Sequence, residues 1–589
     1  MAKLWRIHPH DSARIVALER AAAIPAVVAQ LLICRGICDP RTAGDFLDAR
    51  LSSLRDPEDL PGLPAAADRI MAAVTAGRRI VVYGDYDVDG MSATAILYLC
   101  LRLLGGDVSY YVPNRMDEGY GLNRQALETL RQRGADMVVT VDCGAASVDE
   151  AQAARALGLE LIITDHHQFG ATLPDAAAIV HPALPGSAYP FTGLCGAGVA
   201  FKLAWALCQR ASEAKKVGPP MREFLMQSVG LVALGTVADV VPLVDENRTI
   251  VRHGLTSLRE RPALGVAALA KLTKLDEKPH LSSEDIAFTL APRLNAAGRL
   301  GQAALGVELL TTDSAERASA LAAYLNELNK SRDSLERSIY LAANKQAIER
   351  FDPENDAALV LADRGWHVGV IGIVAARLAE KFHRPVVMVS FEAVGAKPGV
   401  GSARSVPGFD LHAALAAGCE HLLSHGGHAA AAGLKIEEHR LDDFRAQFCE
   451  HAAAELAGTP RVAELRIDAE VPFSALTTST VMDIERLAPF GQANPRPLLC
   501  TSEVTLCEPP KRIGGGERHL SLRLAQHGVE LRAVAFGGGE WAEELGETPG
   551  TIAVAFRPFV NHFRGRKSVE LQVCDWQPAA VLAASERCA

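Results

Sequence analysis

Between residues 65 and 182, short apolar runs alternate with amphipathic stretches, and no other feature of the chain constrains its fold as tightly. Residues 80–83, 108–112, 137–141, 161–163 and 178–180 carry no charge and hardly a polar side chain, so each reads as a buried strand. Residues 92–104, 124–133 and 147–157 have the length and periodicity of surface helices. This alternation predicts a parallel sheet covered by helices on both faces, an α/β fold whose ligands bind at the carboxyl ends of the strands.

The 589 residues suffice for about three to five domains. Residues 227–241 are apolar almost all round and predict a buried helix whose one charge is Asp239. Residues 313–351 predict a long helix with Asp313 and Glu316 as a capping box and Leu321, Leu325, Leu328, Leu335 and Ile339 on one face. Such a helix is roughly 55 Å long, a spacer between two domains. A second α/β segment covers 357–456, with strands at 358–362 and 386–390. After Gly458, Thr459 and Pro460, short alternating strands at 519–524, 529–536 and 569–573, set apart by glycine triplets at 514–516 and 537–539, predict a small β-barrel. The expected division is an N-terminal arm at 1–64, a catalytic domain at 65–312, the connecting helix at 313–352, a second α/β domain at 353–457 and an OB-like nucleic-acid-binding barrel at 458–589.

Composition narrows the class further. With 49% apolar and 22% charged residues the chain has a full-sized core, and no run approaches the ~18 apolar residues of a membrane helix. Charged residues through the first 23 positions exclude a secretory apolar region, and the twelve cysteines contain no C-x-x-C, so reduced thiols in a cytoplasmic protein are expected. The net charge of −10 argues against a purely electrostatic nucleic-acid binder but leaves room for a local basic groove.

Three polar clusters stand just past predicted strands: Gly84 to Gly90, with Asp85, Asp87 and Asp89; Asp142-Cys143-Gly144; and Asp165-His166-His167. Together they bring several carboxylates and two imidazoles to one sheet edge, which repulsion forbids unless cations neutralise them. An oxygen-rich set without thiolate suits Mn²⁺ or Mg²⁺ better than structural zinc. Two such ions ~3.5–4 Å apart would supply a hydroxide nucleophile and clamp a phosphoryl group. The alternative of a calcium loop requires flanking helices, whereas a strand precedes here.

These clusters resemble the DHH phosphoesterase superfamily. The resemblance narrows to the RecJ family of single-strand-specific exonucleases through Pro113-Asn114-Arg115, Glu118 to Leu122, Ala233 to Leu243, Pro292 to Leu300, Gly401 to Ser405 and Gly426-Gly427-His428. It implies that Asp87 binds one metal and Asp89 the other, that Asp142 bridges them, and that His166 and Asp239 complete the ligands of the second ion. It further implies His167 against the substrate phosphate, and Asp85 and Asp165 as partners orienting ligands. Some superfamily members place a ligating histidine where this chain has Tyr83, which leaves the first ion with fewer protein ligands.

Other cationic and hydroxyl groups fit a phosphate site. Arg115 follows a strand at the metal edge, and Arg293 and Arg299 are further candidates, either of which could instead brace the long helix. Residues 399–405, with Ser402 and Arg404, read as a glycine-rich turn able to nest an anion, and His428 as a donor in a second such loop rather than a zinc ligand. Phe490, Phe536, Phe556, Phe559 and Phe563, with Arg557, Arg564, Arg566 and Lys567, supply core and one or two stacking platforms for the barrel.

The resemblance therefore implies a 5′→3′ exonuclease releasing 5′-mononucleotides from single-stranded DNA with two divalent cations, Mn²⁺ preferred or Mg²⁺, in recombination and repair. Single-strand-binding protein and a helicase are its implied partners, and no membrane is. A phosphodiesterase for short oligonucleotides or cyclic dinucleotides, and a non-catalytic strand-binding relative, are the competing readings. The first leaves the ~130 residues after the second α/β domain without a task, and the second is disfavoured by competent residues at all five ligand positions.

Overall fold

The computed structural model describes residues 3–115, 118–350, 352, 356–393, 397–457, 464–563 and 565–581. They form two compact units, residues 55–241 with 253–461, and residues 1–54 with 242–252 and 462–589.

The larger unit holds two sheets. In the first, β1 (Ile80–Tyr83), β2 (Val108–Tyr111), β3 (Met137–Val141), β4 (Glu160–Thr164) and β5 (Ala178–Val180) are all parallel and lie in the order 2-1-3-4-5. Strands β1, β3 and most of β4 are buried on both faces, which is why the sequence shows them as unbroken apolar runs. In this order the chain reverses direction across the sheet between β1 and β3, and the crevice there, outside the carboxyl ends, is where such sheets bind ligands. Register makes the ends coincide: Tyr83 lies opposite Thr140 and Val141 opposite Thr164.

Helices α1 (Val88–Leu103), α2 (Gly196–Ala211) and α3 (Pro219–Ala238) are mostly buried. Helix α3 starts eight residues before the predicted 227, at the Pro219-Pro220 pair, and ends with Asp239 as its cap. Helix α4 (Ala291–Arg299) leads to α5 (Ala315–Arg350), the predicted long helix. Its start is capped by Ser314, whose hydroxyl accepts from the Arg317 N–H, rather than by Asp313. Leu321, Leu325 and Ile339 are buried as expected, but Leu335 is exposed. The second sheet follows, in the order β9-β10-β8-β7-β6, from β6 (Leu359–Arg364), β7 (Val386–Phe391), β8 (Gly399–Arg404), β9 (Leu422–Gly427) and β10 (Ala431–Ile436), with α6 (Val368–Phe382) between its two parallel strands. Ile339, Ala343 and Ala347 of α5 enter the core beneath α6, so the long helix belongs to the packing of this sheet as well as linking it to the first.

The predicted anion-nesting turn at 399–405 is instead strand β8, paired antiparallel to β7 on one side and β10 on the other. Its backbone N–H groups are committed to those ladders and cannot nest an anion. The glycines serve close packing: a Cβ on Gly401 would sit 2.7 Å from Leu434 Cδ1.

The smaller unit is a seven-stranded sheet closed on itself by the Thr505↔Ala525 and Leu506↔Leu524 pairs, as predicted for the barrel. Its longest strands, Ile552–Phe563 and Arg566–Pro578, exceed the sequence expectation. Of the expected arm at 1–64, residues 3–54 are part of this smaller unit. Leu4–Ile7 pairs in parallel with Glu464–Ile467, and Leu18, Leu31 and Leu32 share a core with Leu499, Phe556 and Leu571. Arg248, 2% exposed, lies 3.7 Å over the Phe46 ring and donates to the carbonyls of Phe46, Leu487 and Arg486. Phe490 and Phe556 are core and Phe536 is 62% exposed; Arg564 and the break at Gly458, Thr459 and Pro460 lie outside the described residues. Among the described residues no single helix is long and apolar enough to cross a membrane, and the described cysteines form no disulfide.

Candidate metal centre

The loops after β1, β3 and β4 bring Asp85, Asp87, Asp89, Asp142 and His166 to the switch point of the first sheet, and the end of α3 adds Asp239. Three groups of ligand atoms lie within 4.8 Å of one another: Asp85, Asp87 and Asp142; Asp89, His166 and Asp239; and Asp142, His166 and His167. Asp142 thus belongs to one group on each side of it. His166 Nε2 stands 3.1 Å from Asp142 Oδ1, 3.5 Å from Asp239 Oδ2 and 3.7 Å from Asp89 Oδ2. Neighbouring ligands of one octahedral cation at ~2.1 Å are about 3 Å apart, so this spacing fits a shared ion.

Local structure explains how the side chains are held. Asp87 caps α1, its Oδ1 accepting from the Gly90 N–H at 3.0 Å. Asp89 accepts from the N–H groups of Gly196 and Ala197 at the start of α2, at 2.6 and 2.9 Å. Asp142 adopts φ +63°, a left-handed conformation that aspartate tolerates better than most residues and that turns its carboxylate off the strand end. Two helices approach so closely that only glycine fits: a Cβ on Gly196 would lie 2.5 Å from Asp142 Oδ1, and one on Gly235 2.4 Å from Asp89 Oδ1.

The electrostatics call for cations. Among the described residues, the ion pairs of these five carboxylates come from His166 and His167 alone. Burial and the repulsion of Asp89 and Asp87 raise Asp142 well above the carboxylate range and push Asp239 up to about 8. Burial, then Asp87, raises Asp85; burial, then Asp89, raises Asp87. Asp85 Oδ1, Asp142 Oδ1 and His166 Nε2 are buried polar atoms with no hydrogen-bond partner. Buried atoms of this kind need a partner, and divalent cations satisfy all three. Asp85 lies in one group with Asp87 and Asp142, close enough to share an ion with them, whereas the sequence reading made it an outer partner.

Asp165 fills the outer role. It accepts from the N–H groups of His166, His167 and Ala145 and bonds His167 Nδ1 at 2.8 Å. Burial would raise its pKa, but the bond and charge of His167 hold it down to about 2. The same pair, working against burial, raises His167 to about 9. Tyr83 is fully buried and donates to the Gly121 carbonyl, so it does not face the metals.

The guanidiniums of Arg115, Arg299 and Arg404 form a second cluster. Arg115 lies 4.9 Å over the Tyr86 ring, Arg299 donates to the Gly369 carbonyl and Arg404 to Ser402 Oγ. Burial, then the repulsion of Arg115, Arg332 and Arg404, lowers Arg299 to about 10; burial and Arg115 lower Arg404. The cluster borders the carboxylates, since Asp85 feels Arg115 and Arg299 feels Asp87. Arg293 instead donates to Asn326 and braces α5. His428 is exposed, in the turn between β9 and β10, and the structure does not bring it to either cluster by any bond.

Several residues escaped the sequence reading. Tyr120 reaches both the Asp142 carbonyl and His167 Nδ1. His181 bonds the His167 carbonyl through Nε2 and accepts from the Ala183 N–H through Nδ1. Asn295 accepts from the Val88 N–H. Tyr120 and Asn295 lie in motifs quoted above, whereas His181 carries no signal except its place after an apolar strand.

Comparison with known proteins agrees with this geometry. Residues 79–236 match the DHH family N-terminal domain, 355–454 the DHHA1 domain and 467–575 the RecJ OB domain. The single-stranded-DNA-specific exonuclease RecJ of Dickeya dadantii is 36% identical over 571 residues, 94% of this chain and 96% of that protein. The chain belongs to the RecJ family. The RecJ of Bacillus subtilis is 36% identical over 577 residues, 97% of this chain and 70% of its own length. The crystal structure of Thermus thermophilus RecJ with Mn²⁺ superposes with a TM-score of 0.82 at 32% identity, covering 98% of this chain and 79% of that one; a second carries Mg²⁺. This RecJ-family chain thus has the α/β class, the OB domain and the domain order expected from its sequence, and relatives that take the expected metals.

Proposed function

We propose that this protein is a 5′→3′ exonuclease that hydrolyses single-stranded DNA to 5′-mononucleotides, with Asp85, Asp87 and Asp142 holding one divalent cation and Asp142, Asp89, His166 and Asp239 the other. When bound, Mn²⁺ or Mg²⁺ lowers the pKa of water and polarises the phosphoryl oxygens. The chain's own residues do the rest. Asp142, which groups with Asp85 and Asp87 on one side and stands 3.1 Å from His166 Nε2 on the other, would set the separation of the two sites. Asp165 and Tyr120 orient the His167 ring, which stands ready to donate to the scissile phosphate.

The observation that carries direction is the arginine cluster beside the carboxylates. Arg115, Arg299, Arg404 and Ser402 form a pocket for the 5′-terminal phosphate. A monoester carries about one more negative charge than an internal diester near neutral pH and offers three unesterified oxygens instead of two. With the terminal phosphate seated, the first phosphodiester faces the metals. Cleavage of its P–O3′ bond releases a nucleotide that keeps its 5′-phosphate and 3′-hydroxyl, and leaves a new 5′-phosphate on the shortened strand. Each turnover therefore regenerates the end that the pocket reads.

The barrel, with exposed Phe536 beside His519 at 5.4 Å, serves as a strand platform. Recombination and repair, a cytoplasmic location and partnership with single-strand-binding protein and a helicase follow from the family. The test uses strands labelled at each end. With Mn²⁺ or Mg²⁺, mononucleotides should appear first from the 5′ end, and chelator should stop release. Arg404→Ala should shrink the preference for 5′-phosphorylated over 5′-hydroxyl strands. Release from the 3′ end, or turnover in chelator, would overturn the reading.

A further inference from the structure

The first turn of α6 is wedged into the arginine cluster. A Cβ on Gly369 would lie 2.2 Å from the Arg299 carbonyl, and one on Gly372 would lie 2.9 Å from both Arg404 Nη2 and Ser402 Oγ. The residue that caps this helix is His367, whose Nδ1 accepts from the Gly369 N–H at 3.1 Å. Gly369 is also the residue whose carbonyl receives Arg299, so the imidazole and the guanidinium share one anchoring residue.

The capping bond decides the state of the ring. A nitrogen that accepts a hydrogen bond carries no proton, so Nδ1 is bare and the proton of the neutral imidazole sits on Nε2. The ring is half-buried, and among the described residues its Nε2 has no protein acceptor. Burial, then the positive field of Arg115, favours the neutral form. Arg115, from the loop after β2, acts on the ring itself, while Arg299, from α4, and Arg404, from β8, meet the same helix turn at Gly369 and Gly372. All three are cations, none can accept the Nε2 proton, and an anion seated among them can.

We infer that His367 is a further specificity-determining residue, donating its Nε2–H to an oxygen of the strand's terminal phosphate. The inference rests on the terminal-phosphate reading and deepens it. Three guanidiniums supply charge that any phosphate would attract. A neutral donor in a fixed tautomer adds direction instead, and it matches the third unesterified oxygen that distinguishes a terminal phosphate from an internal one. The N-terminus of α6, with its N–H groups beside the same ring, favours the same charge.

The test separates the cap from the contact. Asparagine and aspartate both cap helices well, so His367→Asn and His367→Asp keep the bond to the Gly369 N–H while removing the ring. The readout is the ratio of kcat/KM on 5′-phosphorylated and 5′-hydroxyl strands, with Arg404→Ala beside it and Mn²⁺ affinity and Tm measured on every variant. The expected result is about a tenfold smaller ratio in His367→Asn, carried by KM on the phosphorylated strand. His367→Asp should lose more, because its charge repels the phosphate, while Mn²⁺ affinity stays at the parent value in both. If Arg404→Ala collapses the ratio and both His367 variants keep it, His367 is a cap alone and the inference falls while the pocket stands. If no variant changes the ratio, the pocket itself is wrong and the inference falls with it. Should one His367 variant unfold, the other carries the test by the same ratio.

Discussion

Replacing Gly235 by alanine should cripple catalysis without touching a ligand. Gly235 lies inside α3, where alanine ordinarily stabilises a helix by about 1 kcal/mol. Here its Cβ would stand 2.4 Å from Asp89 Oδ1 and 2.8 Å from the Ala197 Cβ. Relief to an ordinary contact of about 3.3 Å requires a shift of about 0.9 Å. The carboxylate cannot swing away freely, because the N–H groups of Gly196 and Ala197 hold its two oxygens at 2.6 and 2.9 Å. The displacement therefore passes to the metal site. A misplacement of about 1 Å costs roughly 100-fold in rate, equivalent to about 2.7 kcal/mol. Mononucleotide release and calorimetric Mn²⁺ titration should show that loss together with a roughly 10–100-fold weaker ion affinity. Gly230→Ala, five residues earlier and facing the pliable Leu258 side chain at 3.1 Å, should leave activity intact. Parent-like turnover and ion affinity in Gly235→Ala would refute the claim that α3 is fitted against Asp89.

Asp142→Asn should lower turnover by at least 1,000-fold, on the order of 4 kcal/mol, while gel-shift affinity for a long strand is retained; normal turnover would exclude Asp142 as the shared ligand. In chelator, Tm should fall as pH rises from about 5.5 to 8.5. Metal-free native Asp239, at about 8, keeps a proton that the unfolded chain has lost above ~4. His167, raised to about 9, stabilises fully below ~6.5 and loses that contribution as pH climbs through its folded value, so both act in one direction. Mn²⁺ should restore Tm most at the alkaline end, and a Tm that climbs with pH in chelator would contradict this. Arg248→Ala, by orphaning three buried carbonyls, should cost roughly 3–5 kcal/mol in urea unfolding of the smaller unit; a change below about 1 kcal/mol would show those carbonyls find other partners.

The legible parts of this fold were those whose pattern is local. Strands β1, β3 and β4 announce themselves because burial on both faces leaves them almost wholly apolar, with Thr140 the one polar residue inside their runs, and aspartates directly after such strands must share an edge. The meeting of Asp85, Asp87, Asp89, Asp142 and His166 followed from that, whereas Asp239, at the end of a helix, came from the family resemblance. Residues 399–404 misled because glycine serves turns and close packing equally well, and only the neighbouring Leu434 and Phe391 side chains decide between them. The Ser314 cap was missed by one residue, within the ambiguity of adjacent capping residues. His181 and Asn295 work through main-chain groups of distant segments, and no periodicity encodes such partners. The place of residues 1–54 was invisible for the same reason, because the strand that Leu4–Ile7 joins begins at Glu464.

That last pairing has a consequence for biosynthesis. Leu4 and its partner Glu464 are 460 positions apart, and at about 5–20 residues per second the ribosome needs roughly 25 to 90 s to supply the second after the first. Throughout that interval Leu18, Val28, Leu31 and Leu32 have been made and their core partners Leu499, Phe556 and Leu571 have not. The first segment to emerge is thus among the last to be buried. A chain halted before residue 499 has made every aspartate of the metal edge but leaves Leu18, Val28, Leu31 and Leu32 without their core partners, so truncation or translational pausing exposes this apolar surface.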